Sequence, residues 1–358
     1  MNKSKNQVRE ESYILASLFT LKPEPAPRGM SSQEIVRRAI EFDNPPRIPY
    51  YFLFHPNAAD IGIIGPLSEP SDNRGSREKG EIYEDNWGVR RKVTGRMWDH
   101  PIDYPLKDLS KFDSYKFPNA IKGIKTIKPL VRLGNMAKKY MIGWNTIYMY
   151  ETMRSLMGYE ELMMAPYHQP DGLHRLLHKL TEMTIQAIKA YHQIGGIHGF
   201  LTAEDWGLQN SMQMKIDTFR EFYKPYYQRI INACHERSIH FIWHNCGYIF
   251  EMFPDMIEMG VDVVQFDQPR LIGHQKLIEA LGGKICMWNC VDIQWSTGEA
   301  VTNDDIRREV TEMVEAYQIP RFNGGFIAKH YPQPWDIQLP VERQKLIFEA
   351  FMDNGCRL

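Results

Sequence analysis

His240-Phe-Ile-Trp-His244-Asn-Cys246-Gly247 is the run of this 358-residue chain that says most about its architecture. It begins with apolar side chains of the kind strands favour and ends abruptly in polar ones. Residues 250–259 follow with apolar side chains at helical spacing and stop at Gly260, the residue type that takes the left-handed turn closing a helix. A second apolar run, 261–267, comes next. Strand, helix and strand in this order form a crossover unit, in which a helix packs across two parallel strands.

The same grammar extends in both directions. Further strands are expected at 48–54, 141–147, 198–204, 284–290 and 321–328. Helices are expected at 171–193, 216–237 with a break near Pro225, 274–281, 304–318 after the capping pair Thr302-Asn303, and 341–352. Ser31 and Ser32 ahead of Gln33, Glu34 and Ile35 signal another helix, which ends near Phe42 before Pro45-Pro46. Several strands are continuous apolar runs, as in sheets covered on both faces. The expected fold is therefore α/β, a (β/α)₈ TIM barrel in one domain over 31–358, with an N-terminal arm over 1–30. Residues 56–125 read as an irregular insertion over the barrel mouth, in which 87–94 alternates like a hairpin strand.

Charge narrows the function. Lys and Arg total 43 against 44 for Asp and Glu, a net charge of −1, without the basic excess that a nucleic-acid binder needs. The longest apolar runs are a few residues, far below the ~18 that span a bilayer. The N-terminal residues lack the apolar core of a signal peptide, so a cytoplasmic protein is expected. The five cysteines are an odd, sparse set that reads as structural thiols or metal ligands rather than disulfides. Nineteen Met and 43 aromatic residues fit either a large core or a pocket with aromatic walls for a flat ligand.

In a (β/α)₈ barrel the chemistry sits at the C-terminal ends of the strands. Those ends are rich in polar groups: His55, Asn145, Glu204-Asp205, His244-Asn245-Cys246, Gln265, Asp267, Asn289-Cys290, Lys329-His330. Alternation along a strand puts His244 and Cys246 on one face, an imidazole beside a thiol, which is half of a zinc site. Cys290 is the first choice for a third ligand, with Glu204 and His330 as alternatives. Cys286 shares the face of Cys290 but lies about 13 Å deeper, where it is core. Cys234 reads as helix packing, Cys356 as inert, His192 and His198 as structural, and His174 with His178 as a half-exposed helix face. A His-x-Cys pair is weak on its own, because buried cysteine often serves as a small hydrophobe.

Thr202-Ala-Glu204-Asp205-Trp206-Gly207-Leu-Gln209 resembles a strand end of the uroporphyrinogen decarboxylase superfamily. So do His244-Asn-Cys246-Gly247 with Met256–Asp262, and Asp85-Asn86-Trp87-Gly88-Val89 with Pro105-Leu106 and Tyr115…Pro118. The resemblance runs from about Met30 onward and implies the same barrel. The superfamily's decarboxylases grip their substrate's carboxylates with an Arg-Gln-Ala-Gly-Arg segment after the first strand. Here that stretch reads Phe52-Leu-Phe54-His55-Pro56-Asn57-Ala58, without an arginine to bind them.

The corrinoid-dependent methyltransferase branch is more similar. It implies zinc held by a His-x-Cys pair plus a further thiolate, so His244, Cys246 and Cys290 are the expected metal ligands. Its coenzyme M members carry that thiolate near the last strand, where this chain has Asn323–His330 and no cysteine. The implied reaction is transfer of a methyl group from an O-methyl donor, a methoxylated aromatic compound, to the Co(I) of a corrinoid carried by a partner protein. Glu204, Asp205 and Asn245 are the catalytic candidates. His55, Asn145, Trp243, Gln265, Trp288, Asn289, His330 and Tyr331 are the substrate-binding candidates, with Phe266 and Tyr248 as further aromatic wall. A homodimer is among the expected assemblies. The rivals are a methyltransferase for methanol, methylamine or methyl thiol, a decarboxylase of the superfamily's other branch, a zinc hydrolase, and a tetrapyrrole binder without turnover.

Overall fold

In the computed structural model, which describes residues 29–52, 59–66, 77–94, 99–317, 319–331 and 337–355, the strands fall into two sheets. They are β1 (Tyr50–Tyr51), β2 (Ile61–Ile64), β3 (Ile82–Glu84), β4 (Arg90–Lys92), β5 (His100–Asp103), β6 (Tyr140–Trp144), β7 (Gly199–Glu204), β8 (His240–Asn245), β9 (Val263–Phe266), β10 (Cys286–Asn289) and β11 (Phe326–Lys329). Eight of them pair in the order β1-β11-β10-β9-β8-β7-β6-β2, every pair parallel. The two end strands approach each other through a bridge between Tyr51 and Ala59, so the sheet is a nearly closed (β/α)₈ barrel. No described helix is long and apolar enough to cross a membrane.

One barrel strand, β2, lies inside the segment that the sequence assigns to an insertion. Its Ile61-Gly-Ile-Ile follows β1 after residues 52–60, too short a link for a crossover helix, so the strand–helix alternation that reveals the other units is missing here. The strand expected at 321–328 begins later. Ile319–Phe322 is a helical turn, and Asn323, Gly324 and Gly325, all at positive φ, bend the chain into β11. The break near Pro225 appears as a π segment, Phe219–Tyr223, because proline has no N–H to continue the helical ladder. Helices Lys128–Met136, Met149–Met157 and Tyr159–His168 carry no sequence expectation. The alternating segment 87–94 contains β4, the centre of an antiparallel β3-β4-β5 sheet. Almost all of the 1–30 arm, together with His55 and Cys356, lies outside the described residues.

Strand alternation divides the interior in two. Phe200, Phe241, Trp243, Val264 and Phe266 face the helices in one large core. Leu201, Ile242, Val263, Cys286, Trp288 and Ile327 fill the barrel itself, where Val36 and Ile40 of helix Ser32–Ile40 join them from the N-terminal end. Cys286 is thus core, as its depth implies. Ser31 caps that helix by accepting from Glu34 N at 3.1 Å, and Ser32 Oγ donates to the fully buried Asp60 at 2.6 Å. Asp60 also accepts from both terminal nitrogens of Arg47 (2.7 and 2.8 Å) and from Tyr50 N at 3.0 Å.

His198 is structural as well. Its Nδ1 accepts from Met141 N at 2.9 Å. Burial, assisted by His240, drives its pKa down to about 4. A base whose folded pKa lies below its unfolded value of about 6.5 stabilises the fold above pH 6.5 and loses that contribution as pH falls towards 4. The contribution is about 3 kcal/mol. Urea unfolding between pH 7 and 4 should show this loss. His198→Asn, whose amide oxygen replaces Nδ1 as acceptor, should flatten the pH dependence by the same amount.

Candidate metal centre at the barrel mouth

The parity that points Leu201 into the barrel also points Asp205 there, just past the end of β7. The next residue, Trp206, is fully buried behind the wall, 4.4 Å from the Tyr150 ring and 4.8 Å from that of Tyr223. On β8 the inward series is Ile242, His244, Cys246; on β9 it is Val263, Gln265, Asp267; on β10 Cys286, Trp288, Cys290; on β11 Ile327, Lys329. His244 and Gln265 are directly opposite in the β8–β9 register.

The loops after β7 and β8 are locked by backbone contact. Gly207 N donates to Cys246 O at 3.1 Å and Tyr248 N to Leu208 O at 2.7 Å. A Cβ on Gly207 would stand 2.4 Å from the Gly247 carbonyl carbon, and Gly247 itself has a φ of +78°. Glycine is therefore required at both positions, and the contact brings Asp205 up to Cys246.

An Asp205 carboxylate oxygen, a His244 ring nitrogen and the Cys246 sulfur lie within 4.8 Å of one another, the only such group of three among the described residues. Cys246 Sγ is 3.3 Å from His244 Nε2. On the other side of the ring, Nδ1 meets Gln265 Oε1. Gln265 Nε2 donates to Asp267 Oδ1 at 2.9 Å, and Lys329 Nζ donates to the same oxygen at 2.6 Å. Burial pushes the Cys246 thiol up, and the carboxylates of Asp205 and Asp267 add to this. Burial opposes ionisation of Asp267, yet Lys329 and His244 hold its carboxyl below the usual range.

Cys290 does not join the three donors. Its thiol reaches Asp267 Oδ1 at 3.5 Å, and burial raises its pKa. The third donor is Asp205, which the sequence marks as catalytic and not as a ligand. The signal was available, because Asp205 has the parity of Leu201. Asp267 and Lys329, noted only as polar strand ends, complete the buried network.

Several candidates face away from the mouth. Glu204 Oε1 accepts from Tyr227 OH at 2.7 Å and Oε2 from Glu151 N at 3.2 Å. Burial raises its pKa to about 8. The Trp243 ring lies 4.3 Å from that of Tyr227, tilted against it among the helices, and Asn245 and Asn289, also buried, share its outward parity on their strands. His330 is buried 5.5 Å from the Phe52 ring. Asn145 closes its own turn, accepting from Ile147 N at 3.1 Å and donating to Ile147 O. Phe266 belongs to the outer core. Trp288 faces inward, one level below Cys290, edge-on to Tyr51 at 5.3 Å. Tyr331 and Tyr248 are half-buried beyond β11 and β8. Two surface cavities lie elsewhere, one of about 420 Å³ beside Arg270 and Trp295 and one of about 620 Å³ beside Arg132 and Met136.

The uroporphyrinogen decarboxylase (URO-D) family matches residues 142–328, more than half of the 358-residue chain. Among solved structures, a methyltransferase from Methanosarcina mazei aligns at a TM-score of 0.61 and 16% identity, over 90% of this chain and 98% of that one. A xylanase (Xyn10A) from Cellvibrio japonicus aligns at a TM-score of 0.41 and 12% identity, over 69% of this chain and 88% of that one. No curated protein matches.

Proposed function

This chain belongs to the uroporphyrinogen decarboxylase family, and from that premise we propose that it is a methyltransferase. It moves a methyl group from an O-methyl donor, a methoxylated aromatic compound, to the Co(I) of a corrinoid carried by a separate protein. The observation that carries this reading is the donor set at the mouth: one carboxylate oxygen, one imidazole nitrogen and one thiol sulfur within 4.8 Å. Three protein donors with a fourth position left open is the arrangement of catalytic zinc, and oxygen, nitrogen and sulfur donors of this kind suit that ion.

Asp205, His244 and Cys246 would hold the zinc, which when bound supplies Lewis acidity to the ether oxygen and so eases departure of a phenolate. A carboxylate in place of a second thiolate is a harder, less electron-releasing ligand. It favours activation of an oxygen over delivery of a thiolate, which speaks for an ether donor and against thiol methylation. Trp288 belongs to the apolar cluster that fills the barrel and the half-buried Trp144 packs against that cluster, an interior suited to a flat ring and poor for water. Both oxygens of Glu204 are engaged by Tyr227 and the Glu151 backbone, so Glu204 braces the strand end that presents Asp205. The stretch after β1 lacks the arginines a polycarboxylate substrate would require, which speaks against decarboxylation.

The test is an anaerobic reaction of the zinc-loaded protein with a methoxyarene and Co(I) cobalamin. Loss of the Co(I) absorbance with matching release of the phenol is expected. Turnover only with methanol, a methylamine or a methyl thiol would move the donor class. Hydrolysis without cobalamin, or no turnover with any donor, would overturn the reading.

A further inference from the structure

We propose that Lys329, Asp267 and Gln265 are positioning residues that fix the tautomer of His244, so that its Nε2 is the nitrogen offered to the metal. The proposal rests on the metal-centre reading above, but its first test does not need the metal.

The argument is one of donor and acceptor bookkeeping along a chain of contacts. The Lys329 ammonium has only hydrogens to give, and the Asp267 carboxylate has only lone pairs to offer. They meet at 2.6 Å. Gln265 approaches the same carboxylate at 2.9 Å and must turn its NH₂ towards it. The other end of that amide, the oxygen, is then the end that faces His244 Nδ1. An amide oxygen only accepts, so Nδ1 must carry the hydrogen. In a neutral imidazole the lone pair is then on Nε2, the nitrogen 3.3 Å from Cys246 Sγ. The Cys290 thiol gives its hydrogen to the same Asp267 oxygen at 3.5 Å, which assigns a use to the cysteine left out of the donor group.

Burial makes the train strict. Gln265, Asp267 and Lys329 are 6%, 5% and 3% exposed, so bulk water is not at hand to replace a broken contact. Reversal of the Gln265 amide would set its oxygen against the Asp267 carboxylate oxygen, acceptor against acceptor. Gln265 lies one contact beyond the ligand itself and the Asp267–Lys329 pair fixes Gln265 from behind; outer-layer partners of this kind typically change metal affinity by about 10–100-fold.

The experiment uses ¹⁵N-histidine-labelled protein, metal-free and zinc-loaded, together with zinc affinity measured by competition with a chromophoric chelator. The variants are Gln265→Leu, the joint replacement Asp267→Leu with Lys329→Met, and all three together. Removing both charges at once leaves no lone buried ion, so the fold is expected to survive. Metal-free wild type should show His244 as a single Nδ1–H tautomer. The double variant should show both tautomers and bind zinc about 10–100-fold more weakly. Gln265→Leu should weaken binding comparably, and the triple variant should lose no more than either, because all act through one amide. An Nε2–H tautomer in wild type, an unchanged spectrum in the double variant, or losses that multiply in the triple variant would overturn the proposal. If wild type binds no zinc, the metal reading fails while the wild-type and double-variant spectra still decide this one. Gln265→Leu, with no charge removed, serves where the double variant does not fold.

Discussion

His244→Ala should cost about 10³-fold or more in methyl transfer while leaving the fold intact. The arithmetic is direct. Lewis-acid assistance at a departing oxygen supplies several kcal/mol of transition-state stabilisation, and each 1.4 kcal/mol is about tenfold in rate. His244 meets Cys246 through Nε2 and Gln265 through Nδ1, so removing the ring removes one of the three ligands. His244 lies two residues beyond Ile242 towards the C-terminal end of β8 and is not part of the apolar cluster that fills the barrel. Truncation there opens no cavity in the core, and the far-ultraviolet dichroism and melting temperature should stay close to wild type. Activity within tenfold of wild type, in a protein that has kept its fold, would show that the imidazole is not part of the machinery.

Asp60→Ala should destabilise the chain by about 3–5 kcal/mol, the range for breaking a buried ion pair from one side. Asp60 is fully buried and Arg47 is 4% exposed. The carboxylate receives two bonds from Arg47, one from Ser32 Oγ and one from Tyr50 N, and so ties the helix that plugs the barrel to β1 and to the start of β2. Alanine takes the carboxylate away from a buried guanidinium and from two further donors, Ser32 Oγ and Tyr50 N. Urea unfolding at pH 7 measures the loss. Arg47→Met combined with Asp60→Leu should recover much of it, since neither charge is then stranded. A loss below about 1 kcal/mol for Asp60→Ala would mean that this carboxylate is not a structural hub.

The same two regions show where the sequence could be read and where it could not. Residues 240–267 announce strand, helix and strand because their apolar spacing changes from strand to helix period and back, and Gly260 marks the helix end. β2 has four residues and follows β1 at a spacing too short for a crossover helix, so nothing in its pattern separates it from a loop. At the mouth, the polar strand ends are visible as a set, but the set mixes the two faces of the wall. Successive side chains on a strand face opposite ways, so Glu204, Asn245 and Asn289 turn behind the wall while Asp205, His244 and Cys246 meet inside. Parity alone would have selected Asp205 over Glu204. It would not have separated Asp205 from Cys290, which has the right parity on its own strand. That choice depends on the backbone crossing of Gly207 with Gly247, a contact between two loops that no local pattern encodes.

Zinc content of the anaerobically purified protein, wild type beside Asp205→Ala, Cys246→Ser and Cys290→Ser, tests the ligand set on which the mechanism stands. About one zinc per chain is predicted for wild type and for Cys290→Ser, with zinc lost in Asp205→Ala and in Cys246→Ser. Zinc kept in Asp205→Ala but lost in Cys290→Ser would restore the second thiolate and remove the argument for an ether donor. No zinc in wild type after reconstitution would contradict the mechanism as a whole.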